Sequence, residues 1–398
     1  MIVKTISAPQ GRLCAVWRFV RDIMGDRDYC VAILNNNIPP YRIPIYSRIA
    51  EQFRTIVLLS GVEDNRTTWR GMERILQERG VSVKYSRGFT IRYRRQRGKT
   101  VFDVHYLHIN PGYLVDLFRE KPDAVITTEM GFRTLVALLY GVVTRKAVWV
   151  WWGGTLHTEA RRGPIRRIIR WFLAKIVKRW ISYGRTSTEY LLRIGVPRDR
   201  ILEIQNCVDE ELFSRPVQPA LKITPKPVLL YVGQMIGRKG VGLLLEAAAR
   251  AQKEGYEFSL VLVGDGPEKD RFVAYAQELG LANVHFIPAQ PPEKMPAIYR
   301  SAECLVFPTL EDVWGLVVNE AMWCGLPVAV SVYAGCAPEI VPPDQRFDPL
   351  NPSDFDRVLR LALSGRLDPP DTSRLKRCRE VADMIISDIW REIAKTRR

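Results

Sequence analysis

Residues 308–325 read Pro-Thr-Leu-Glu-Asp-Val-Trp-Gly-Leu-Val-Val-Asn-Glu-Ala-Met-Trp-Cys-Gly, and their pattern decides the fold. The apolar run just before them, 304–307, has the length of a short buried strand. A loop with two carboxylates, Glu311 and Asp312, follows; then come Gly315 and a helical pattern carried by Leu316, Val317, Ala321 and Met322. A strand that gives way to a helix at a glycine leaves the first helical N–H groups free, and the helix dipole favours an anion there. Asp312 precedes that opening, and Glu320 lies along the helix behind it. Carboxylates only accept hydrogen bonds, so two of them beside an anion site suit a ligand with both phosphates and hydroxyls, as in a sugar nucleotide. The plain alternative is an acidic loop capping an ordinary helix.

The same strand-then-helix unit repeats through the second half of the chain. Residues 228–232, 258–263, 284–287, 304–307 and 327–331 read as strands, and 241–252 as a helix with Leu244, Leu245, Ala248 and Ala251 on one face. The first half alternates likewise, with strands at 31–34, 55–59, 124–127 and 146–151 and helices at 43–52, 70–79, 113–119 and 164–180. Such alternation predicts parallel, doubly wound sheets whose ligands bind at the C-terminal ends of the strands. A chain of 398 residues is too long for one core and suits two. The expected architecture is α/β, with two Rossmann-like domains facing across a cleft. The divisions are an extension over 1–27, a first domain over 28–215, a second over 216–372 and a helix over 373–398. A polar, proline-spaced stretch at 214–227 is the expected linker.

The spacing of Asp312 and Glu320 resembles the signature of the family-4 retaining glycosyltransferases (glycosyl transferases group 1). There a Glu, seven residues and a second Glu span the same junction; Asp stands first here, since Glu311 would lengthen the gap by one. The resemblance implies that Glu320 holds ribose hydroxyls, that Asp312 holds a hydroxyl of the donor sugar, and that the N–H groups of Gly315, Leu316 and Val317 meet diphosphate and sugar. The loop Gly233-Gln234-Met235-Ile236-Gly237-Arg238-Lys239-Gly240 resembles the family's Gly-Arg…Lys-Gly loop, whose cations clamp the donor diphosphate. Breaking the anomeric bond places negative charge on the departing phosphate, which is why cations matter there. Lys239 matches the lysine, Gln234 stands in the arginine's place, and Arg238 is the neighbouring cation expected to compensate.

Gly264-Asp265-Gly266-Pro267 also matches a family turn, placing Gly264 and Gly266 with the donor, although such turn chemistry is common. Asn206-Cys207-Val208-Asp209 is similar to the Asn-Gly-Val-Asp that closes the first domain in the family. The family pattern implies a GT-B architecture, a C-terminal helix bracing the first domain, no metal, and no cofactor beyond a nucleoside-diphosphate sugar as donor substrate. On the acceptor side, Tyr41 and Arg42 follow Pro39-Pro40 after a strand, Glu129 follows another, and Trp152 opens Trp-Gly-Gly-Thr-Leu-His. Family members often carry a histidine in this last segment, so His157 joins Asp312, Glu320 and Lys239 as a catalytic candidate. A loop histidine with a structural hydrogen bond is its alternative.

Composition and charge bound the partners. Hydrophobic residues make up 47% of the chain, and the longest apolar stretch, 135–152, is interrupted by Arg145-Lys146. The N-terminus lacks the apolar core of a secretory signal. Seven cysteines at no metal spacing and four scattered histidines point to a reducing cytoplasm and offer no metal site. The net charge of +16 is uneven: residues 1–215 hold 37 Lys and Arg against 20 Asp and Glu, whereas 216–398 hold 22 against 23. One basic cluster falls at 92–99, and 161–185 contains no acidic residue. Within the latter, Ile165, Ile168, Ile169, Phe172, Ile176 and Trp180 repeat at helical spacing among Arg166, Arg167, Arg170, Lys175, Lys178 and Arg179. That pattern fits a helix on an anionic membrane surface, or an apolar stripe packed on its own sheet with solvated arginines outside. Nucleic acid is the competing partner, suggested by Arg92, Tyr93, Arg94 and Arg95. No recognisable nucleic-acid module and a neutral second half argue against it.

The resemblance implies a retaining transfer of sugar from a nucleoside-diphosphate sugar, and with the basic first half the expected acceptor is a growing glycan on a lipid carrier. The setting would be polysaccharide or cell-surface glycan synthesis at the cytoplasmic membrane face. A nucleotide-sugar 2-epimerase of the same architecture and a non-catalytic sugar-nucleotide-binding membrane protein are the alternatives.

Overall fold

The computed structural model describes residues 29–61, 63, 69, 71–160 and 162–395. The extension expected over 1–27 lies outside the described residues, as do Arg70 and Arg161.

Fifteen strands are described. The first sheet contains β1 (Cys30–Asn35), β2 (Arg54–Leu59), β3 (Ser82–Tyr85), β6 (Ala124–Thr128), β7 (Ala147–Trp152), β8 (Arg179–Ser182) and β9 (Ile201–Glu203). A separate hairpin pairs β4 (Phe89–Arg97) with β5 (Thr100–Ile109). The second sheet contains β10 (Val228–Val232), β11 (Ser259–Val263), β12 (Val284–Ile287), β13 (Cys304–Phe307), β14 (Val328–Ser331) and β15 (Arg346–Phe347). Every pair in the two large sheets is parallel, in the orders β3-β2-β1-β6-β7-β8-β9 and β12-β11-β10-β13-β14-β15.

The strands read as continuous apolar runs because both faces of each sheet are covered, so alternate residues feed opposite cores. In the first sheet Val31, Ile33, Trp149 and Trp151 point to one face. There they meet α1 (Ile43–Ala50), α2 (Met72–Glu78) and the C-terminal α11 (Cys378–Lys395). Cys30, Ala32 and Val148 point to the other face, under α3 (Gly112–Glu120) and α4 (Phe132–Thr144). Val150 and Trp152 join that second face further along, under α5 (Pro164–Ile176) and α6 (Arg185–Arg193). In the second sheet, α7 (Val241–Lys253), α8 (Lys269–Glu278) and α10 (Pro352–Leu363) cover one face and α9 (Leu316–Trp323) the other. Helix α11 therefore belongs to the first core, and its Asp388 accepts a hydrogen bond from the buried indole of Trp149 at 2.8 Å.

Two expectations change. The helix expected over 164–180 ends at Ile176, where Val177 turns extended and the chain enters β8, so Trp180 is a strand residue buried beside Trp152 and Tyr190. The stripe on that helix does not pack on the sheet. Arg170, Leu173 and Ala174 face inward, whereas Ile165, Ile168, Ile169, Phe172 and Ile176 are exposed. The helical spacing was real, but a second row of the helix supplies the packing.

Candidate functional site

In each sheet the winding reverses beside its first strand. The second sheet has β10 between β11 and β13, so the loops leaving β10 and β13 part from one another and open a crevice at the strand C-termini. Those loops are 233–240 and 308–315. The first sheet has β1 between β2 and β6, and the segments following these strands carry Tyr41 and Glu129. The two crevices share one cavity of about 620 Å³. Its lining includes Tyr41, Asp103, Glu129 and Arg162 on one side, and Gly233, Gln234, Arg238, Lys239, Asp312, Gly315, Leu316, Val317 and Glu320 on the other.

Short loops and close backbone contacts fix the second side. Gly315 precedes α9 with φ of 102°, in the left-handed region, and a Cβ there would meet the Phe307 ring at 2.8 Å. This turn aims the unpaired first N–H groups of α9 into the cavity. Gly264 and Gly266 lie behind the cavity rather than on its lining. A Cβ on Gly264 would strike the Gly233 carbonyl at 1.9 Å, so this turn backs the 233–235 loop.

Asp312 accepts from the Trp314 N–H at 3.2 Å through Oδ1 and pairs with Lys239 Nζ through Oδ2. Burial opposes ionisation of Asp312, but Lys239 and Arg238 outweigh it and hold its carboxyl below the usual range. Burial likewise pulls Lys239 down, and Asp312 opposes that shift. The two side chains thus form a buried ion pair on the cavity wall. Glu320 is in the opposite condition. Burial pushes its carboxyl up to about 7, although the Tyr299 hydroxyl donates to Oε2 at 2.6 Å.

Arg238 lines the cavity but is engaged. It ion-pairs with Asp103 at 3.0 Å and donates to the Glu311 carbonyl at 2.9 Å. Gln234 lines the same wall, and its carbonyl accepts from the buried Tyr231 hydroxyl at 2.9 Å. Asp103 was not read from the sequence. It comes from β5, whose hairpin reaches across to the second domain: the Val101 N–H donates to Glu268 at 3.0 Å and Phe102 is buried. The cues were the Gly98-Lys99 turn and the β-rich run after it, but which carboxylate would cross the cleft had no sequence signal.

The acceptor-side candidates separate. Tyr41 and Glu129 line the cavity; Glu129 has φ of 67°, and its carboxylate pairs with Arg133 at 2.9 Å. Arg42 is buried instead, with its guanidinium 3.7 Å above the Trp151 ring and near the rings of Tyr41 and Tyr183. Trp152 is also buried away from the cavity, stacked near Tyr190 on the α5 and α6 side of the sheet. Neighbours on a strand face opposite ways, so Trp152 packs under α5 and α6 and Trp151 in the opposite core, and neither is among the described residues lining the cavity. His157 stands at the domain boundary, with Nε2 2.8 Å from the Leu310 carbonyl and its ring stacked on Tyr333. It is not among the described residues lining the cavity.

Two facing doubly wound domains with the cavity between them define the GT-B architecture, and solved structures share it. The Anabaena protein Alr3699/HepE, in complex with UDP and glucose, superposes with a TM-score of 0.62 at 17% identity, over 92% of this chain and 98% of that one. Sucrose-phosphate synthase from Thermosynechococcus elongatus gives 0.63 at 17% identity, over 93% and 97%. Residues 216–381, the stretch around β10–β15, match the family model described as Glycosyl transferases group 1. Among curated relatives, D-inositol 3-phosphate glycosyltransferase of Mycolicibacterium smegmatis is 31% identical over 190 residues, covering 44% of this chain and 43% of that protein. The 2-deoxystreptamine glucosyltransferase of Streptomyces kanamyceticus is 24% identical over 54% of this chain and 61% of its own length. The chain thus spans less than two thirds of the length of these relatives.

Proposed function

We propose that this protein is a retaining, metal-independent glycosyltransferase that moves a sugar from a nucleoside-diphosphate sugar to a growing, lipid-linked glycan. It would work on an anionic membrane at the cytoplasmic face, in polysaccharide or cell-surface glycan synthesis. One observation carries the reading: a single cavity joins Glu320, the Asp312–Lys239 pair and the start of α9 to Tyr41 and Glu129 from the facing domain.

In this reading Glu320 accepts from the ribose hydroxyls and Asp312 from a sugar hydroxyl. Lys239, Gln234 and the first N–H groups of α9 meet the diphosphate. The acceptor hydroxyl attacks the anomeric carbon on the face the phosphate leaves. As the bond from that carbon to the phosphate oxygen breaks, the acceptor's proton passes to the departing oxygen, giving nucleoside diphosphate and glycoside. Charge that develops on the leaving group falls beside fixed donors, which is where such donors lower a barrier.

The test is a donor screen across UDP-, GDP-, ADP- and TDP-sugars, with and without chelator, followed by the anomeric configuration of the product. Nucleoside diphosphate released in chelator, with the configuration kept, supports the proposal. Conversion of a donor alone to its 2-epimer would identify an epimerase, and binding without turnover a non-catalytic module. Arg238 favours that last alternative, because its partners Asp103 and Glu311 already occupy it.

A further inference from the structure

Helices α3, α4 and α5 lie side by side on the same face of the first sheet. Leu138 of α4 packs against both the core under α3 and the core under α5, so the layer is continuous. Its inner side is ordinary core, but its outer side is apolar as well. Val142 is 77% exposed, Ile165 73% and Ile168 66%, and Val143, Trp171 and Phe172 are exposed beside them. Apolar side chains concentrated on neighbouring helices mark a binding surface rather than the scattered apolar residues of an ordinary exterior.

Charge identifies the occupant. Residues 130–188 contain twelve Lys and Arg and a single carboxylate, Glu159. That carboxylate is buried and paired with Arg162 and Arg170, so it contributes no exposed negative charge to the face. Arg166, Arg167 and Lys175 are exposed on α5 among the apolar side chains, and the hairpin stands alongside, with Tyr93 accepting from Arg166 at 3.0 Å. Long cationic side chains can reach headgroup phosphates while the isoleucines and aromatic rings enter the acyl boundary.

We propose that the outer face of α4 and α5 inserts into an anionic lipid bilayer, with its apolar side chains below the headgroups and its arginines among them. This deepens the membrane-side reading above and rests on it. The geometry adds a route for the acceptor. Thr158 and Arg162 line the cavity, and α5 begins two residues after Arg162. A carrier-linked glycan leaving the bilayer beside the start of α5 therefore meets the cavity mouth directly.

The experiment is co-sedimentation of the full chain with vesicles of phosphatidylcholine alone and of phosphatidylcholine with one quarter phosphatidylglycerol, at 0.1 and 0.5 M NaCl. Wild type should bind the anionic vesicles and retain part of that binding at high salt, because insertion is not screened. Ile165→Ser, Ile168→Ser and Phe172→Ser combined should weaken the partition more than tenfold, while donor hydrolysis in solution stays unchanged. Val142→Ser with Val143→Ser, on a separate helix, should weaken it independently and guards against a local folding defect. Undiminished binding by both variants, or complete release of wild type by salt, would overturn insertion while leaving a membrane partner standing. Equal binding to neutral vesicles would overturn the role of the arginines. Failure to bind either vesicle, with a dimer that the serine variants dissolve, would assign the face to a second copy and remove the membrane partner as well.

Discussion

Arg238 of the second domain and Asp103 of the hairpin form an ion pair at 3.0 Å across the cavity wall. The guanidinium also donates to the Glu311 carbonyl, while Glu311's carboxylate lies 3.6 Å from Arg95 and 3.7 Å from Arg162. The 233–240 and 308–315 loops are therefore held to the first domain by ion pairs at the cavity wall.

The first expectation follows from those pairs. Asp103→Asn removes a negative charge beside the anion site and releases Arg238, so nucleoside-diphosphate affinity should rise a few-fold, on the order of 1 kcal/mol. Gln234→Arg, by adding a cation on the same wall, should act in the same direction. Isothermal titration with the nucleoside diphosphate measures both. If Asp103→Asn and Arg238→Ala each bind as wild type does, Arg238 serves the hairpin alone and not the donor.

Lys239 and Asp312 are both largely buried, at 11% and 13% side-chain exposure. Lys239→Ala strands a carboxylate and should cost about 3–5 kcal/mol of stability, as is usual for breaking such a pair. The carboxyl of Asp312 is held below its usual range, so its contribution is present above the unfolded pKa of about 4 and fades as pH falls through the folded value. Asp312→Asn should then be less stable than wild type at pH 7, with the gap closing in acid. Urea unfolding at several pH values reads this directly. Turnover in Asp312→Ala should fall more than donor affinity, because a sugar contact strengthens as positive charge develops.

Helix α11 offers a control remote from the cavity. Asp388→Ala leaves the buried Trp149 indole without its acceptor and should cost about 1–3 kcal/mol. The melting temperature should drop while nucleoside-diphosphate affinity holds. A changed affinity would mean that α11 also sets the spacing of the two domains.

Which parts of this were legible in the chain follows from what each signal encodes. The runs at 228–232 and 304–307 each carry their glycine turn in the residues that follow, so Gly233 and Lys239, and separately Asp312 and Glu320, were legible locally, and all four line one cavity. Trp152 and Trp151 show the limit. Both follow the same apolar run, but strand alternation sends them to opposite cores, and position in sequence does not say which face looks toward a ligand. Trp180 fitted a helical repeat by coincidence, because a break at Val177 separates it from α5. Asp103 and Tyr299 were missed for a different reason. Their partners, Arg238 and Glu320, are respectively in the other domain and on another element of the same one, and nothing local to either residue announces the pairing.

Glu320 carries the last expectation. Burial raises its carboxyl to about 7, and the Tyr299 hydroxyl holds it down against that rise. The carboxylate accepts from ribose hydroxyls more strongly than the neutral acid, one of whose oxygens has become a donor, so donor affinity should weaken as pH falls below about 7. Tyr299→Phe removes the restraining donor and should move that midpoint upward, while Glu320→Gln should bind weakly with no midpoint in this range. Stability has the opposite sense. A folded pKa above the unfolded value of 4.5 gives a contribution fully present below 4.5 and lost as pH rises through about 7. A neutral amide escapes that loss, so Glu320→Gln should be more stable than wild type at pH 8, by about 3 kcal/mol, and equal to it at pH 4. Titration calorimetry between pH 6 and 8, paired with urea unfolding at pH 4 and 8, checks both halves. Wild-type affinity that stays flat across that range would show that Glu320 does not touch the nucleotide, whatever its charge does to stability.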